Sequence, residues 1–220
     1  LATVEEIRQN ADHRSMVRKI QKAYAFLLPT TAPLPTSLYT TGSLTDFSAT
    51  PGAISVGLVS PDGWTFAREI ETEDINALGY GSPVRTDITT VPRSVTVTAL
   101  ESNRKEIQEL KYGTVITETQ DAATGEVVFD EPDLPNSKEY RLIVVGADGP
   151  ADEEWIMGKG FPAVKLTGTG EEVWGQEGAV SQELTFSVFS DDETGAPVRH
   201  YLGGTGAVKY KDVLGYTQAV

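Results

Sequence analysis

Alternating apolar and polar positions dominate the chain from residue 53 onward. Ile54, Val56 and Leu58 alternate with Ser55 and Gly57, which predicts a strand near 54–59. Pro61-Asp62-Gly63 then reads as a turn into a second strand near 64–70, so the two runs predict a hairpin. Val95, Val97 and Ala99 share one face of a predicted strand near 94–101. Further strands are predicted near 139–146, 161–168 and 182–189, with shorter candidates at 125–129, 153–158 and 207–210. Ser102 reads as the N-cap of a short helix near 102–111. Ile107 and Leu110 point that helix inward, and Gly113 stops it.

The first fifty residues follow a different pattern. Thr3-Val4-Glu5-Glu6 fits a capping box, and Val4, Ile7, Ala11, Val17 and Ile20 form a broken apolar stripe, so a helix is expected within 3–22. The apolar run 24–28 is a strand candidate. Residues 29–52 are rich in Pro, Thr, Ser and Gly and read as a long loop or extended arm outside the core. Residues 71–92 are polar, with two glycines and two prolines, and read as a second long loop. The expected fold is mainly β: an antiparallel β-sandwich or partly closed barrel with one flanking helix, plus an N-terminal arm and a long loop. The expected division is 1–52, helix and arm, and 53–220, β domain.

At 220 residues the chain can bury a full core. Its formal charge of −14 argues against a sequence-reading nucleic-acid binder and against an anionic membrane surface as partner. The charge is uneven. Residues 117–193 hold four basic and 18 acidic residues, which accounts for the whole net charge, and residues 1–30 carry a small positive excess. The chain has no cysteine, which excludes disulfides and thiolate chemistry. No apolar run approaches a membrane span, and the opening LATVEEIRQN has no signal-peptide pattern. The expectation is a protein made in a cytoplasm.

Candidate chemistry is sparse. His13 and His200 lie far apart, and neither has a second ligand at metal spacing. There is no G-x-S-x-G. Gly168-Thr169-Gly170 runs into Glu171-Glu172, which would repel phosphate, and Gly203-Gly204-Thr205-Gly206 lacks the following Lys-Ser/Thr pair of a phosphate loop. The acidic clusters at 71–74, 152–154 and 191–193 lack calcium-loop spacing. No catalytic residue, metal ligand or cofactor is therefore assigned, and the chain is not expected to be an enzyme. Trp64, Trp155 and Trp174 read as packing residues. Their alternative role, a sugar-stacking platform, gives the rival reading of a secreted or surface carbohydrate-binding β-sandwich module.

The stretch GLVSPDGWTFAREIETEDINALGY at 57–80 continues through Gly81-Ser82-Pro83-Val84-Arg85-Thr86-Asp87 to SVTVTALESNRKEIQELKYG at 94–113. This resembles the major tail tube protein of long-tailed, non-contractile bacteriophages, particularly those of actinobacterial hosts. The glycine-bounded turn at 57–63 and the strand-to-helix junction at 96–103 match in order, as does Ala32-Pro33-Leu34-Pro35-Thr36. Asp191-Asp192 followed by Val198-Arg199-His200 is similar to the family's final-strand exit. The resemblance spans most of residues 23–215.

The resemblance implies a structural subunit. Copies are expected to close into hexameric rings that stack into a tube conducting DNA from capsid to cell. The N-terminal arm and the loop after the second strand would bridge neighbours, with Pro33, Leu34, Pro35, Asn76, Leu78, Tyr80, Pro83 and Arg85 as candidate contacts. Glu118, Asp121, Glu126, Glu171, Glu172 and Glu183 are the candidate lumen-facing acids. Expected partners are other copies and the tail tip, tail terminator and tape-measure proteins of the same phage. DNA would be a partner only in transit, without specific binding, and no membrane is expected. The expected location is the virion tail after synthesis in the host cytoplasm.

Overall fold

The computed structural model describes residues 2–217. Eight strands form one antiparallel sheet. They are β1 (Lys22–Pro29), β4 (Ile54–Ser55), β5 (Val59–Arg68), β8 (Arg93–Ala99), β9 (Glu139–Asp148), β10 (Trp155–Thr169), β11 (Gln182–Phe189) and β12 (Arg199–Gly203). The spatial order is β4-β1-β9-β10-β11-β8-β5, with β12 beside the first half of β10. Two small hairpins stand apart from it: β2 (Tyr39–Thr40) with β3 (Ser43–Leu44), and β6 (Glu71–Ile75) with β7 (Arg85–Thr90). The helices are α1 (Val4–Ala11), α2 (Lys105–Tyr112), α3 (Thr205–Lys209) and α4 (Lys211–Leu214). The mainly β, antiparallel expectation is borne out.

The sheet curls over its own core. Leu27 and Val56 at one flank share a buried cluster with Val95, Val97 and Phe186 at the other, and Leu110 of α2 joins them. Bulges in β10 permit this bend. The chain steps three residues from Phe161 to Val164 while β9 steps two, and Pro162, which has no N–H to give the ladder, sits inside that irregularity. Beyond it β10 changes neighbour: residues 156–160 pair with β12 and residues 163–169 with β11. The continuous apolar run 142–145 of β9 fits its position, because both faces of that strand are covered.

The second covering layer corrects one expectation. Residues 29–52 are not outside the core. Leu34, Leu38 and Phe47 are buried against Leu28, Ile143, Val145 and Ile156 on the outer face of β1, β9 and β10. β12 stitches the segment down. Tyr201 Oη donates to the Pro35 carbonyl at 2.6 Å, and Arg199 donates to the same oxygen at 3.0 Å. β1 itself pairs with β9 over eight residues, from Lys22 to Pro29.

Other elements also differ from expectation. The 54–59 and 64–70 runs do not pair with each other: β4 pairs with β1, and β5 pairs with β8. Pro61-Asp62-Gly63 lies inside β5 as a wide irregularity between Val59 and Trp64 instead of reversing the chain. Residues 71–92 contain the β6–β7 hairpin and are not a plain loop. Residues 125–129 form no strand, and 207–210 fall in and beside α3. The candidates at 153–158 and 161–168 are one strand, β10. The predicted capping box is present, with Thr3 N–H donating to Glu6 Oε2 at 2.8 Å, but α1 ends at Ala11 and buries nothing. Helix α2 starts later than predicted. Ser102 is not its cap but is buried, donating to the Val180 carbonyl at 2.9 Å, and Gly113 supplies the predicted left-handed stop.

Candidate functional site

Most candidate residues of the sequence fall in two regions. The first is the β6–β7 hairpin. It prolongs the β5–β8 ladder, which ends at Arg68 opposite Arg93, and the Glu69 N–H donates to the Pro92 carbonyl at 3.1 Å across the junction. Backbone pairing of β6 with β7 carries the ladder onward; Thr86 Oγ1 donates across it to Asp74 Oδ1 at 2.6 Å, and Arg85 pairs along β7 with Asp87 at 2.8 Å. The Val84 N–H donates to the Ile75 carbonyl at 2.9 Å and closes the tip. β6 alone adds roughly 16 Å of reach at ~3.3 Å per residue.

Almost nothing supports this hairpin from below. All residues of β6 are exposed, and in β7 only Asp87 is partly covered. Leu78 is 102% exposed, Tyr80 71% and Ile88 63%. A two-stranded ribbon with no packed face is marginal in water, and each such apolar side chain gains about 1.5–3 kcal/mol on full burial. The predicted contacts Asn76, Leu78, Tyr80, Pro83 and Arg85 all lie exposed at or beside the tip. Ile75, Val84 and Ile88 are further exposed apolar residues of the hairpin, with Ile75 and Ile88 on opposite faces of the ribbon, and were missed. The β-branched residues of RTDITT were the only available signal, and a weak one. Of the three predicted contacts in the arm, Pro33 is exposed, Pro35 is held by β12, and Leu34 is in the core.

The second surface is acidic and flanks α2. Glu118, Asp121 and Glu126 lie on the loop 113–138, which α2 anchors: the Ile116 N–H donates to Glu109 Oε1 at 2.8 Å. Glu171 and Glu172 lie on the loop 170–181, tied to the same helix by the Lys111–Glu172 ion pair. Glu183 is exposed on β11 opposite Thr98. Hydrogen bonds from Thr124 and Ala123 hold the Asp121 carboxyl below the usual carboxylate range, and Lys111 and Trp174 do the same for Glu172. Both acids are therefore fixed as anions at neutral pH.

Beside this surface a cavity of about 660 Å³ opens between α2 and the ends of β9 and β10. Its charged lining residues include Glu106, Glu109, Lys111 and Glu139. The last two are engaged in ion pairs, Lys111 with Glu172 and Glu139 with Lys165. Among the described residues no group of three or more His, Asp or Glu side chains is placed to hold a metal. The tryptophans do not share one exposed face. Trp155 is buried and Trp64 packs against the main core, which leaves Trp174 exposed on the acidic loop.

No family model matches the chain, and no curated protein matches it. Among solved structures, a chain of the anti-feeding prophage baseplate, determined by cryo-EM and 6-fold symmetrised, aligns with 86% of this chain and 97% of its own length. The TM-score is 0.41 and the identity 9%, a likeness too distant to assign a function.

Proposed function

We propose that this chain is a self-assembling structural subunit of a phage tail tube. Copies close into rings of six, and stacked rings form a channel that passes DNA from capsid to host cell. The observation that carries the reading is the projecting hairpin: apolar side chains at Leu78, Tyr80, Val84 and Ile88 stand on a ribbon with no packed face of its own. A neighbouring copy that covers the tip supplies the missing burial. The ordered sequence resemblance at 57–63 and 96–103 points to the same role.

In this reading the acids around α2 line the channel. An anionic wall gains nothing from phosphate, whereas a basic wall would release counterions and hold the genome. The subunit is made in the host cytoplasm and ends in the virion tail, beside tail-tip, tail-terminator and tape-measure proteins. Sedimentation velocity over a range of concentrations tests the self-assembly. Rings or short stacks that grow with concentration are expected, and a monomer at every concentration would count against the proposal.

A further inference from the structure

A slot runs along the open side of the curled sheet, between the edge strand β5 and β12. It consists of two cavities, of about 440 and 250 Å³, and Phe66, Lys159 and His200 line both. The larger is walled mainly by apolar groups, among them Ile20, Trp64, Val144 and Met157. The smaller adds Arg68 and Arg93.

The charges of this slot run against the rest of the chain. Its lining holds three basic side chains, Lys159, Arg68 and Arg93, and one acid, Asp62, in a protein of net charge −14. None of the three cations is ion-paired with a carboxylate among the described residues. Lys159 Nζ instead lies 3.9 Å from the centroid of the Phe66 ring, and burial pushes its pKa down. On the same wall the Trp64 indole N–H is buried without an acceptor. A partly desolvated ammonium with no counter-charge and an orphan donor are costly features for a fold that has acids in excess.

We propose that this slot is a binding site for a small amphipathic carboxylate. The apolar body occupies the larger cavity, and the carboxylate pairs with Lys159. The volume lies in the ordinary range for small-molecule sites, and the lining is the usual mixture of apolar walls and few polar groups. One lysine at the meeting point of two cavities suits a monoanion. No carboxylate among the described residues is ion-paired with Lys159, so ligand binding replaces no internal pair. The site is independent of the tail-tube reading, since it belongs to a single copy.

The test uses the full chain, ¹⁵N-labelled, titrated with decanoate and with decan-1-ol. The indole N–H signals of Trp64, Trp155 and Trp174 are followed, with Trp64 assigned by its loss in Trp64→Phe. Decanoate should shift the Trp64 signal saturably at one site, and decan-1-ol should bind roughly tenfold more weakly, as loss of a charge-assisted hydrogen bond requires. Lys159→Met, which keeps the apolar stem on Phe66, should lose that preference and still bind decan-1-ol as the native chain does. The proposal is overturned if decanoate does not saturate. It is equally overturned if Trp155 or Trp174 responds without Trp64, if the alcohol binds as tightly as the acid, or if Lys159→Met keeps the native affinity for decanoate.

Discussion

The guanidinium carbon of Arg18 lies 4.2 Å from the centroid of the Trp155 ring. Tyr210 stacks on the same indole at 6.0 Å. A residue ahead of β1 and a residue behind α3 thus close on the first residue of β10. Asp148 completes the join: it faces Arg18 at 3.8 Å and accepts from the Lys19 N–H at 3.2 Å and the Gln21 side chain at 3.3 Å. Gly206 fits because it has no side chain, since a Cβ there would stand 2.3 Å from Trp155 Nε1. Both terminal segments meet at this tryptophan, although neither α1 nor α4 buries a residue.

Trp155→Ala should therefore cost about 3–5 kcal/mol of stability, because it leaves a cavity and frees both segments. Gly206→Ala should cost about 1–3 kcal/mol through overpacking against the indole. Chemical denaturation measures both. Hydrogen exchange should find amides near residues 18–21 and 205–210 deprotected together in Trp155→Ala. Loss of protection at only one end would show that the two segments are held separately.

The arm is tested in the same way. Leu38→Ala and Phe47→Ala should each destabilise the monomer by about 2–5 kcal/mol, as core truncations do. A change below about 0.5 kcal/mol would place the arm back on the surface.

These residues mark where the sequence was legible and where it was not. β8 and β11 could be read because each buries one face, so Val95, Val97 and Ala99, like Leu184 and Phe186, recur at period two. Leu34, Leu38 and Phe47 obey no period, because irregular backbone carries them over the sheet, and composition alone made the arm look external. Pro61-Asp62-Gly63 carries turn chemistry, yet pairing with β8 absorbed it as an irregularity within β5. The hairpin at 71–90 gave little signal, since both of its faces are open and its strands need no alternation. Contact candidates at 76–85 could be named, whereas Lys159 of β10 reaches the cross-strand pair Arg68 and Arg93 only through the curl of the sheet.

Stability should fall in acid. Asp121, Glu153 and Glu172 all have carboxyls held below their ordinary range, Glu153 chiefly by Lys209 and Glu172 chiefly by Lys111. Such groups bind fewer protons folded than unfolded, so their contribution is complete above the unfolded carboxylate range, ~4, and is lost as pH falls through the lower folded values. Thermal melts should give a constant Tm between about pH 5 and 7 and a falling Tm below about pH 4. A Tm that rises on acidification would show that repulsion among the unpaired acids outweighs these contacts.

Replacing the tip, residues 76–84, by Asn-Gly should leave a folded monomer, because the excised residues cover no part of the core. Its Tm should stay within the range of surface changes, about 0.5 kcal/mol in stability, while assembly is lost. Tubes formed as readily as by the native chain would remove the hairpin from the contact.

The most direct measurement is helical reconstruction by electron microscopy of whatever the purified chain forms at high concentration. The account predicts stacked rings in which Leu78 and Tyr80 are covered by a neighbouring copy and the acids at 118–126 and 171–183 face the channel. Dispersed monomers would contradict it, as would a tube whose hairpin tips project into solvent and whose inner wall is basic.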